Sequence, residues 1–407
     1  MNFDLAAFKA EFPILARPGG GGAPLHYLDN AATAQCPERV IEAVARHERE
    51  NRGNIQRGTH HLAERALEAY ENARAACGRY LNAPAEEIVF TGGATAALNL
   101  IAHGLGEGLK AGDEVLLSVA EHHSALLPWQ EVGRRKGIEL RFLPVTREGR
   151  LDLSRLADLV GPRTKVIALT HASNVTGAVS ELAPVIEAAS AFGAILVLDG
   201  AQRAPHGPLD LQALGCDFYA LAGHKCFGPN GIGVLWGRRA LLERLPPLLV
   251  GGGMVGHVEL QHSTFGPPVR RFEAGTPPIA QAVGLGAALD WLGALPWPAI
   301  HAHLAALSQR LLDGLAAFND LRLCGPRDLA NRLPVFAFDL AGAHPHDVCQ
   351  ILDRSGVALR GGHHCAQPLM AAFGVEALSR ASLAPYNDQA DIDALLKGLD
   401  QARRILL

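Results

Sequence analysis

Short apolar segments alternate with helical patterns over roughly residues 60–260, and this alternation constrains the fold more than any other feature. Short apolar segments separated by helices are typical of buried, parallel strands. We therefore predict an α/β fold with a mostly parallel seven-stranded sheet covered by helices. The predicted strands are Glu87–Phe90, Glu114–Ser118, Glu139–Leu143, Val166–Thr170, Ala194–Asp199, Phe218–Ala222 and Gly233–Trp236, and the predicted helices include Ala94–Gly106, Pro128–Lys136, Leu153–Leu159 and Leu182–Phe192.

The C-terminal part of the chain has a different pattern. A long helical region covers about Ile279–Ala317, and then come strands near Asn331–Leu340 and Ala358–Arg360 and helices near Pro345–Ser355 and Asp388–Leu407. A chain of 407 residues, 48% of them hydrophobic, can bury more than one core. We predict a large domain at residues 26–290 and a small α+β domain at 291–407. Residues 1–25 are expected to pack with the small domain, because they contain too few apolar residues to fold alone.

Composition argues against several functional classes. The net charge of −4 and the pI of about 6.5 do not favour a nucleic-acid partner. The most apolar stretches are too short to span a bilayer, and the N-terminus lacks the features of a signal peptide. We therefore expect a cytoplasmic protein without a membrane or nucleic-acid partner. The seven cysteines form no CxxC pair, so their spacing does not predict a metal site.

Two neighbouring strand ends carry residues suited to cofactor chemistry. Asp199 ends one apolar segment, and Lys225 follows the next one in the loop Gly223–Pro229. Ligands of parallel α/β sheets bind at the carboxyl ends of strands. Lysine attacks a carbonyl only when its amine is unprotonated, and a desolvating site favours that form. Together the residues fit a Schiff-base lysine and an acid facing a pyridine nitrogen. Taken separately, the aspartate could cap a helix and the lysine could be an exposed surface residue.

A phosphate site and a stacking ring would complete a pyridoxal 5'-phosphate site. The turn before Ala94 and Thr95 leads from a strand through two glycines into a helix, where backbone N–H groups can bind an anion. The pair His122–His123 follows another strand. It could bind a metal, but the neighbouring sequence offers no matching acidic or cysteine set. One histidine could instead stack on a cofactor ring or be an ordinary loop residue.

The segment Leu359–Pro368 contains Cys365 beside histidines, glycines and an arginine. A cationic setting favours the thiolate form of a cysteine, and glycines allow a loop to approach a ligand closely. A buried, inert cysteine is the alternative. Cys226 adjoins Lys225, but its backbone position is expected to direct it away from the cofactor.

At these motifs the chain resembles the group II cysteine desulfurases (the SufS and CsdA type) within the class V aminotransferases and the fold-type I pyridoxal-phosphate transferases. The resemblance runs almost end to end. The short histidine-flanked cysteine loop is typical of group II, since group I enzymes carry a longer loop. The most specific segments are Ser173–Gly177, Asp199–Gln202, Gly223–Lys225, Arg271–Pro277 and Arg360–Ala366.

The resemblance implies removal of sulfur from L-cysteine, giving L-alanine and a persulfide on Cys365. Lys225 would hold pyridoxal 5'-phosphate and move protons, and His123 would stack on its ring. The other implied cofactor contacts are Asp199 to the ring nitrogen, Gln202 to the phenolic oxygen, and Ala94, Thr95 and His224 around the phosphate, with Asn174 nearby. Asn174 and Arg380 would bind the substrate carboxylate, and Arg360 would line the entrance.

The implied partners follow from the same resemblance. Thr276 would reach the phosphate of a neighbouring subunit, so a homodimer is expected. The sulfur acceptor would be a SufE-like protein or an iron–sulfur scaffold, with sulfur passing to iron–sulfur cluster assembly. Two alternatives remain open. One is a selenocysteine lyase on the same scaffold, acting on L-selenocysteine, and the other is a non-catalytic sulfur-relay protein.

The chain departs from the family pattern at several positions. Ala222 stands where related enzymes usually carry a serine that contacts the phosphate, and Ala94 and Ala96 replace more polar residues. Gln56 precedes Arg57 where a histidine is common. Gly361 is expected to add flexibility beside the cysteine loop. These departures do not affect Lys225, Asp199, Cys365 or Arg380.

Overall fold

A computed structural model describes residues 3–407, with fifteen α-helices and fifteen strands numbered in chain order. The helices are α1 Leu5–Ala10, α2 Glu38–Glu50, α3 His61–Leu81, α4 Ala94–Glu107, α5 His123–Lys136, α6 Leu156–Leu159, α7 Ala183–Phe192, α8 Leu211–Leu214, α9 Arg239–Leu242, α10 Pro268–Arg271, α11 Ile279–Gly293, α12 Trp297–Ala316, α13 Pro345–Asp353, α14 Gln367–Phe373 and α15 Gln389–Leu406. The strands are β1 His26–Tyr27, β2 Ile88–Thr91, β3 Glu114–Ser118, β4 Glu139–Leu143, β5 Thr164–Thr170, β6 Ile195–Asp199, β7 Phe218–Ala222, β8 Gly233–Gly237, β9 Val255–Val258, β10 Ser263–Phe265, β11 Leu321–Leu323, β12 Val335–Leu340, β13 Val357–Ala358, β14 Arg360–Gly362 and β15 Leu378–Ser382.

The large sheet has seven strands in the order β2-β8-β7-β6-β5-β3-β4. Strands β4, β3, β5, β6 and β7 pair in parallel, and β8 pairs antiparallel with both of its neighbours. Every residue of β3, β6, β7 and β8 is buried or nearly so, as expected where helices cover both faces. The predicted α/β fold with a mostly parallel seven-stranded sheet is therefore confirmed. Within this sheet, the predicted strand limits differ from the observed ones by at most two residues.

Two predicted helices have different limits in the structure. Helix α5 begins at His123, not at Pro128, so the proline lies inside the helix where it removes one backbone hydrogen bond. The sequence favoured Pro128 as a helix start because proline is common in the first turn. The long helical region after Ile279 is two helices, α11 and α12. Helix α11 ends at Gly293, and Pro296 is the N-cap of α12, which begins at Trp297.

The C-terminal sheet has four antiparallel strands in the order β11-β12-β15-β14. In its register Arg360 of β14 lies opposite Arg380 of β15, so the sheet itself brings the two arginines together. Gly361 is also a strand residue, paired with Ser379. A Cβ at Gly361 would lie 2.8 Å from the carbonyl oxygen of Pro345, so this glycine permits a close approach of α13 and does not serve the flexibility expected from the sequence.

The N-terminal segment contacts both parts of the chain. Phe8 stacks on Trp291 of α11 with ring centroids 5.4 Å apart, and Lys9 forms a 2.7 Å ion pair with Asp388, the N-cap of α15. Strand β1 pairs in parallel with β13. One continuous hydrophobic cluster contains residues of the large sheet and of α15. The division at residue 290 stays a prediction.

Within residues 3–407, no single helix is long and apolar enough to cross a membrane. Helices α11 and α12 meet the length and composition requirements only as a pair, and they are bent by 86° relative to each other.

Candidate active site

A cavity of about 570 Å³ lies where the carboxyl ends of the parallel strands meet the C-terminal sheet. Strand β6 ends at Asp199, strand β7 ends at Ala222, and strand β2 leads into α4. Parallel strands place their carboxyl ends at one edge of a sheet, and this explains why distant parts of the sequence meet here. The predicted site residues that line the cavity are Ala94, Thr95, Asn174, Asp199, Gln202, His224, Lys225, Arg360, Cys365 and Arg380. His123 and Thr276 are predicted site residues that lie outside this lining.

Asp199 and Lys225 form the base of the cavity. The Asp199 carboxylate accepts a hydrogen bond from the backbone N–H of Ala201 at 3.0 Å. Burial raises the pKa of Asp199 and lowers the pKa of Lys225. A lysine whose pKa is lowered is more often unprotonated, the form that reacts with a carbonyl group. Gln202 is the third polar residue at the base of the cavity. Its side-chain amide is held in place by donating to the carbonyl oxygen of Ala31 at 2.8 Å.

The start of α4 forms one end of the cavity. Gly93 precedes the helix with φ 137°, a backbone conformation open to glycine, and Ala94 and Thr95 are the first helical residues. Their N–H groups lie at the positive end of the helix dipole, which favours an anion. The Thr95 hydroxyl is 2.7 Å from the hydroxyl of Ser124. Ala94 also packs with Ala222 in a small apolar cluster, so Ala222 presents a methyl group where a hydroxyl was expected from the family pattern.

His122, not His123, lines the cavity, whereas the family resemblance assigned ring stacking to His123. Helix α5 begins at His123, and the Nδ1 of His122 accepts a hydrogen bond from the backbone N–H of Ser124 at 3.1 Å. His122 is thereby held at the cavity wall. Burial and the nearby Lys225 lower the pKa of His122 to about 4, so its ring is neutral at pH 7. Burial and His363 also lower the pKa of His123.

Glu121 precedes this pair and was missed by the sequence analysis. Its side chain is fully buried and accepts a hydrogen bond from the backbone N–H of Thr170, the last residue of β5, at 3.0 Å. Burial raises the pKa of Glu121 to about 8. The contact attaches the turn before His122 to a neighbouring strand. An acidic residue three positions beyond β3 is the only sequence signal for this role.

Asp29 is a second missed residue, and it binds both arginines of the site. Its carboxylate lies 2.9 Å from Arg360 and 3.2 Å from Arg380. The hydrogen bond to Asp29 raises the pKa of Arg360, while burial lowers the pKa of Arg380. The Nε of Arg380 is buried and has no hydrogen-bond partner within residues 3–407. Arg380 therefore lines the cavity and keeps one guanidinium donor that no other group in the described part of the chain uses.

The Cys365 loop is held in an unusual backbone conformation. His364 and Cys365 have φ values of 53° and 54°, in the left-handed region that non-glycine residues seldom adopt. The Cys365 carbonyl accepts from the backbone N–H of His123 at 2.7 Å. The side-chain amide of Asn174 donates to the carbonyl of His364 at 2.7 Å. Asn174 thus holds the cysteine loop as well as lining the cavity, and the Cys365 side chain is exposed at its mouth.

Thr276 and Cys226 lie away from the cavity. Thr276 accepts a hydrogen bond from the side-chain amide of Asn54 at 3.3 Å, in an exposed segment. The adjoining Gly275 carbonyl accepts from the amide of Gln56 at 2.7 Å, so the Gln56 departure supports this same segment. Cys226 is fully buried in the main hydrophobic cluster, and burial raises its pKa to about 12. A thiol in that setting is inert.

Comparison with known proteins gives a consistent result. The aminotransferase class-V family model matches residues 26–395. A probable cysteine desulfurase of Streptomyces coelicolor is 44% identical over 406 residues, covering 98% of this chain and 97% of the relative. A cysteine desulfurase of Salmonella typhimurium is 44% identical over 409 residues and covers both chains fully.

Two solved structures are also similar over most of their length. The cysteine desulfurase CsdA of Escherichia coli, in an S-sulfonic acid form, superposes with a TM-score of 0.92 at 40% identity and full coverage of both chains. The apo cysteine desulfurase of Thermococcus onnurineus NA1 has a TM-score of 0.89 at 37% identity, covering 93% of this chain and 94% of the other.

Proposed function

The chain belongs to the aminotransferase class-V family and is a cysteine desulfurase, and from this premise we propose that it binds pyridoxal 5'-phosphate at Lys225 and transfers sulfur from L-cysteine to Cys365. The observation that carries this proposal is that both side chains line one cavity. Enzymes of this family generally depend on pyridoxal phosphate.

The cavity residues suit that cofactor. It needs an amine for attachment, a carboxylate for the ring nitrogen and N–H donors for the phosphate. Lys225 and Asp199 would supply the first two, and the backbone at Ala94 and Thr95 would supply donors together with the His224 ring. Gln202 would contact the phenolic oxygen, and His122 would stack on the ring as a neutral imidazole. When bound, the cofactor supplies an electron sink for the substrate carbon.

The arginines and the cysteine would handle the substrate. Arg380 binds the carboxylate of L-cysteine through donors that Asp29 does not use, and Arg360 lines the entrance. The Sγ of Cys365 takes the substrate sulfur. In net terms L-cysteine and the Cys365 thiol become L-alanine and a Cys365 persulfide, so atoms and electrons balance without an added oxidant. Lys225 moves protons to and from the substrate carbon.

The test is turnover of L-cysteine with a reductant, measured as sulfide and alanine released in equal amounts. Lys225→Ala should abolish both the cofactor absorbance and the activity. Cys365→Ser should abolish desulfuration while the cofactor absorbance remains. Cys36→Ser is the matched control, because Cys36 is half-buried and outside the cavity. Undiminished sulfide release by Cys365→Ser would refute the persulfide route, and activity on L-selenocysteine alone would indicate a selenocysteine lyase.

The chain is proposed to act as a homodimer in the cytoplasm. Support comes from exposed apolar side chains: Leu249 and Val250 are 68% and 70% exposed, and Leu260 is fully exposed on the β9–β10 hairpin. The Gly252 carbonyl, two residues after Val250, accepts a hydrogen bond at 2.8 Å from the N–H of Gly275, which adjoins Thr276. In a dimer through this face, Thr276 would reach the neighbouring phosphate site. Sedimentation should then give a dimer, and Thr276→Ala should weaken cofactor binding.

The sulfur acceptor is proposed to dock at the Cys365 loop, because Cys365 is exposed. A SufE-like protein or an iron–sulfur scaffold would supply an attacking thiol, and iron–sulfur cluster assembly would use the sulfur. The test is transfer of labelled sulfur from the loaded enzyme to each candidate acceptor. Transfer to neither would refute this assignment and leave the desulfurase activity unaffected.

A further inference from the structure

Three side chains that can bind a metal meet at the mouth of the cavity. One ring nitrogen each of His123 and His363 and the sulfur of Cys365 lie within 4.8 Å of one another. His123 begins α5, and the other two belong to the loop before α14. In the sequence the histidine pair at 122–123 had no neighbouring cysteine to complete a metal set. The fold brings one from about 240 residues further along the chain.

The two rings already present unprotonated nitrogens to this loop. The Nδ1 of His363 accepts a hydrogen bond from the backbone N–H of Cys365 at 3.1 Å. The Nε2 of His123 accepts one from the backbone N–H of Gln367 at 3.3 Å. A backbone N–H can only donate, so each of these ring nitrogens is unprotonated, and its lone pair, now bonded to the N–H, becomes available to a metal when that hydrogen bond is released. Metals bind the same neutral form of imidazole.

We propose that His123, His363 and Cys365 form a binding site for one divalent cation of the Zn²⁺ class. Two imidazoles and a thiolate select Zn²⁺ over Mg²⁺ or Ca²⁺, which prefer oxygen ligands. Three protein ligands leave the fourth tetrahedral position to water or to a group in the cavity. Binding forms Zn–N and Zn–S bonds and releases the Cys365 thiol proton to solvent, with no change in oxidation state.

Only small side-chain movements are needed to close the site. Ligand atoms around tetrahedral Zn²⁺ lie roughly 3.5 Å apart, since its bonds are about 2.0–2.3 Å long. His363 and Cys365 are both exposed and can rotate to close the remaining distance. The two backbone N–H groups that would lose their ring acceptors belong to Cys365 and Gln367, which are exposed and can bind water instead.

The functional consequence rests on the proposed role of Cys365. Coordination to Zn²⁺ lowers the nucleophilicity of the thiolate, so the site would inhibit desulfuration reversibly and shield the cysteine from oxidation. A chelator would restore turnover. Mg²⁺ at the same concentration should have no effect, because it binds thiolate and imidazole poorly.

The experiment measures Zn²⁺ binding by the cofactor-loaded enzyme, by competition with a chromogenic chelator, and follows ¹¹³Cd NMR as a readout of sulfur ligation. We expect one Zn²⁺ per chain and a cadmium resonance in the range of a thiolate ligand. Outer-shell substitutions alone cost about 10–100-fold in affinity, so Cys365→Ser and His363→Ala should each weaken binding at least about 10-fold. Cys36→Ser and His346→Ala, outside the group of three, are the matched controls and should bind as the parent does.

Unchanged Zn²⁺ affinity in Cys365→Ser or His363→Ala would overturn the site. This failure is distinguishable from failure of the proposed function. If Cys365→Ser loses turnover but keeps full Zn²⁺ binding, the metal site is wrong and the persulfide route stands. If Cys365→Ser loses Zn²⁺ binding but keeps turnover, the metal site stands and the persulfide route is wrong.

Discussion

Arg380 and Asp29 form an ion pair at the cavity wall, with the guanidinium 3.2 Å from the carboxylate and Arg380 only 2% exposed. Asp29→Ala would leave this arginine buried without its partner. We expect the free energy of unfolding to fall by about 3–5 kcal/mol, measured by denaturant unfolding of the cofactor-loaded enzyme. Asp328→Ala removes a more exposed partner, that of Arg150, and should cost about 1 kcal/mol or less. Similar losses in both variants would contradict a structural role for Asp29.

The two adjacent histidines should behave differently when each is replaced. His122→Ala removes the ring at the cavity wall, so cofactor affinity should fall and the visible absorbance should shift. His123→Ala should leave both unchanged, because that ring lies outside the cavity lining. Equilibrium dialysis of the cofactor and absorbance spectra measure the effects. The opposite pattern would restore the stacking role to His123, as the sequence predicted.

Ala222 offers a gain-of-function test at the phosphate end of the cavity. Ala222→Ser would add a hydroxyl beside His224, and one additional hydrogen bond stabilises the complex by about 1 kcal/mol. Cofactor affinity should therefore rise roughly 5-fold. Ala222→Val adds volume without a donor and should lower the affinity. If serine has no effect while valine lowers the affinity, Ala222 lies beside the cofactor but away from its phosphate.

His171 makes the stability of the fold depend on pH. It is buried, its Nδ1 lies 2.9 Å from the Tyr219 hydroxyl, and burial lowers its pKa to about 3. The unfolded chain takes up a proton at about pH 6.5 and the folded chain does not. The contribution of the neutral His171 ring to the free energy of unfolding is therefore complete above pH 6.5 and is lost as the pH falls toward 3. The free energy of unfolding, measured with denaturant from pH 7.5 to 4.5, should fall in both proteins as the pH is lowered. Below pH 6.5 the fall in His171→Gln should be smaller than in the parent by about 1.4 kcal/mol per pH unit. Equal slopes would contradict this account.

The sequence carried enough information for the large sheet and much of the cavity. Asp199 and Lys225 follow apolar strands, and parallel pairing brings such strand ends together whatever their separation along the chain. The sequence could not distinguish His122 from His123, because adjacent residues point in different directions and the start of α5 decides which one lines the cavity. Asp29 was missed because nothing local predicts pairing with β14 and β15, more than 300 residues away.

Two further features depended on long-range contacts. The three ligating side chains at the mouth come together only when the Cys365 loop folds against α5. Thr276 lies in an exposed segment, and its predicted contact involves a second copy of the chain. Neither the hydrophobic periodicity nor the spacing of motifs in a single sequence predicts contacts between distant segments or between two copies of the chain.

The central claim is that Cys365 accepts the sulfur of L-cysteine. The most direct measurement is a single turnover without reductant, followed by digestion and mass spectrometry of the peptide that contains Cys365. We predict a mass increase of one sulfur atom on Cys365, absent in Lys225→Ala and removed by a reductant. Alanine formed in a full turnover with the added sulfur on another cysteine, or with none on the chain, would contradict the claim.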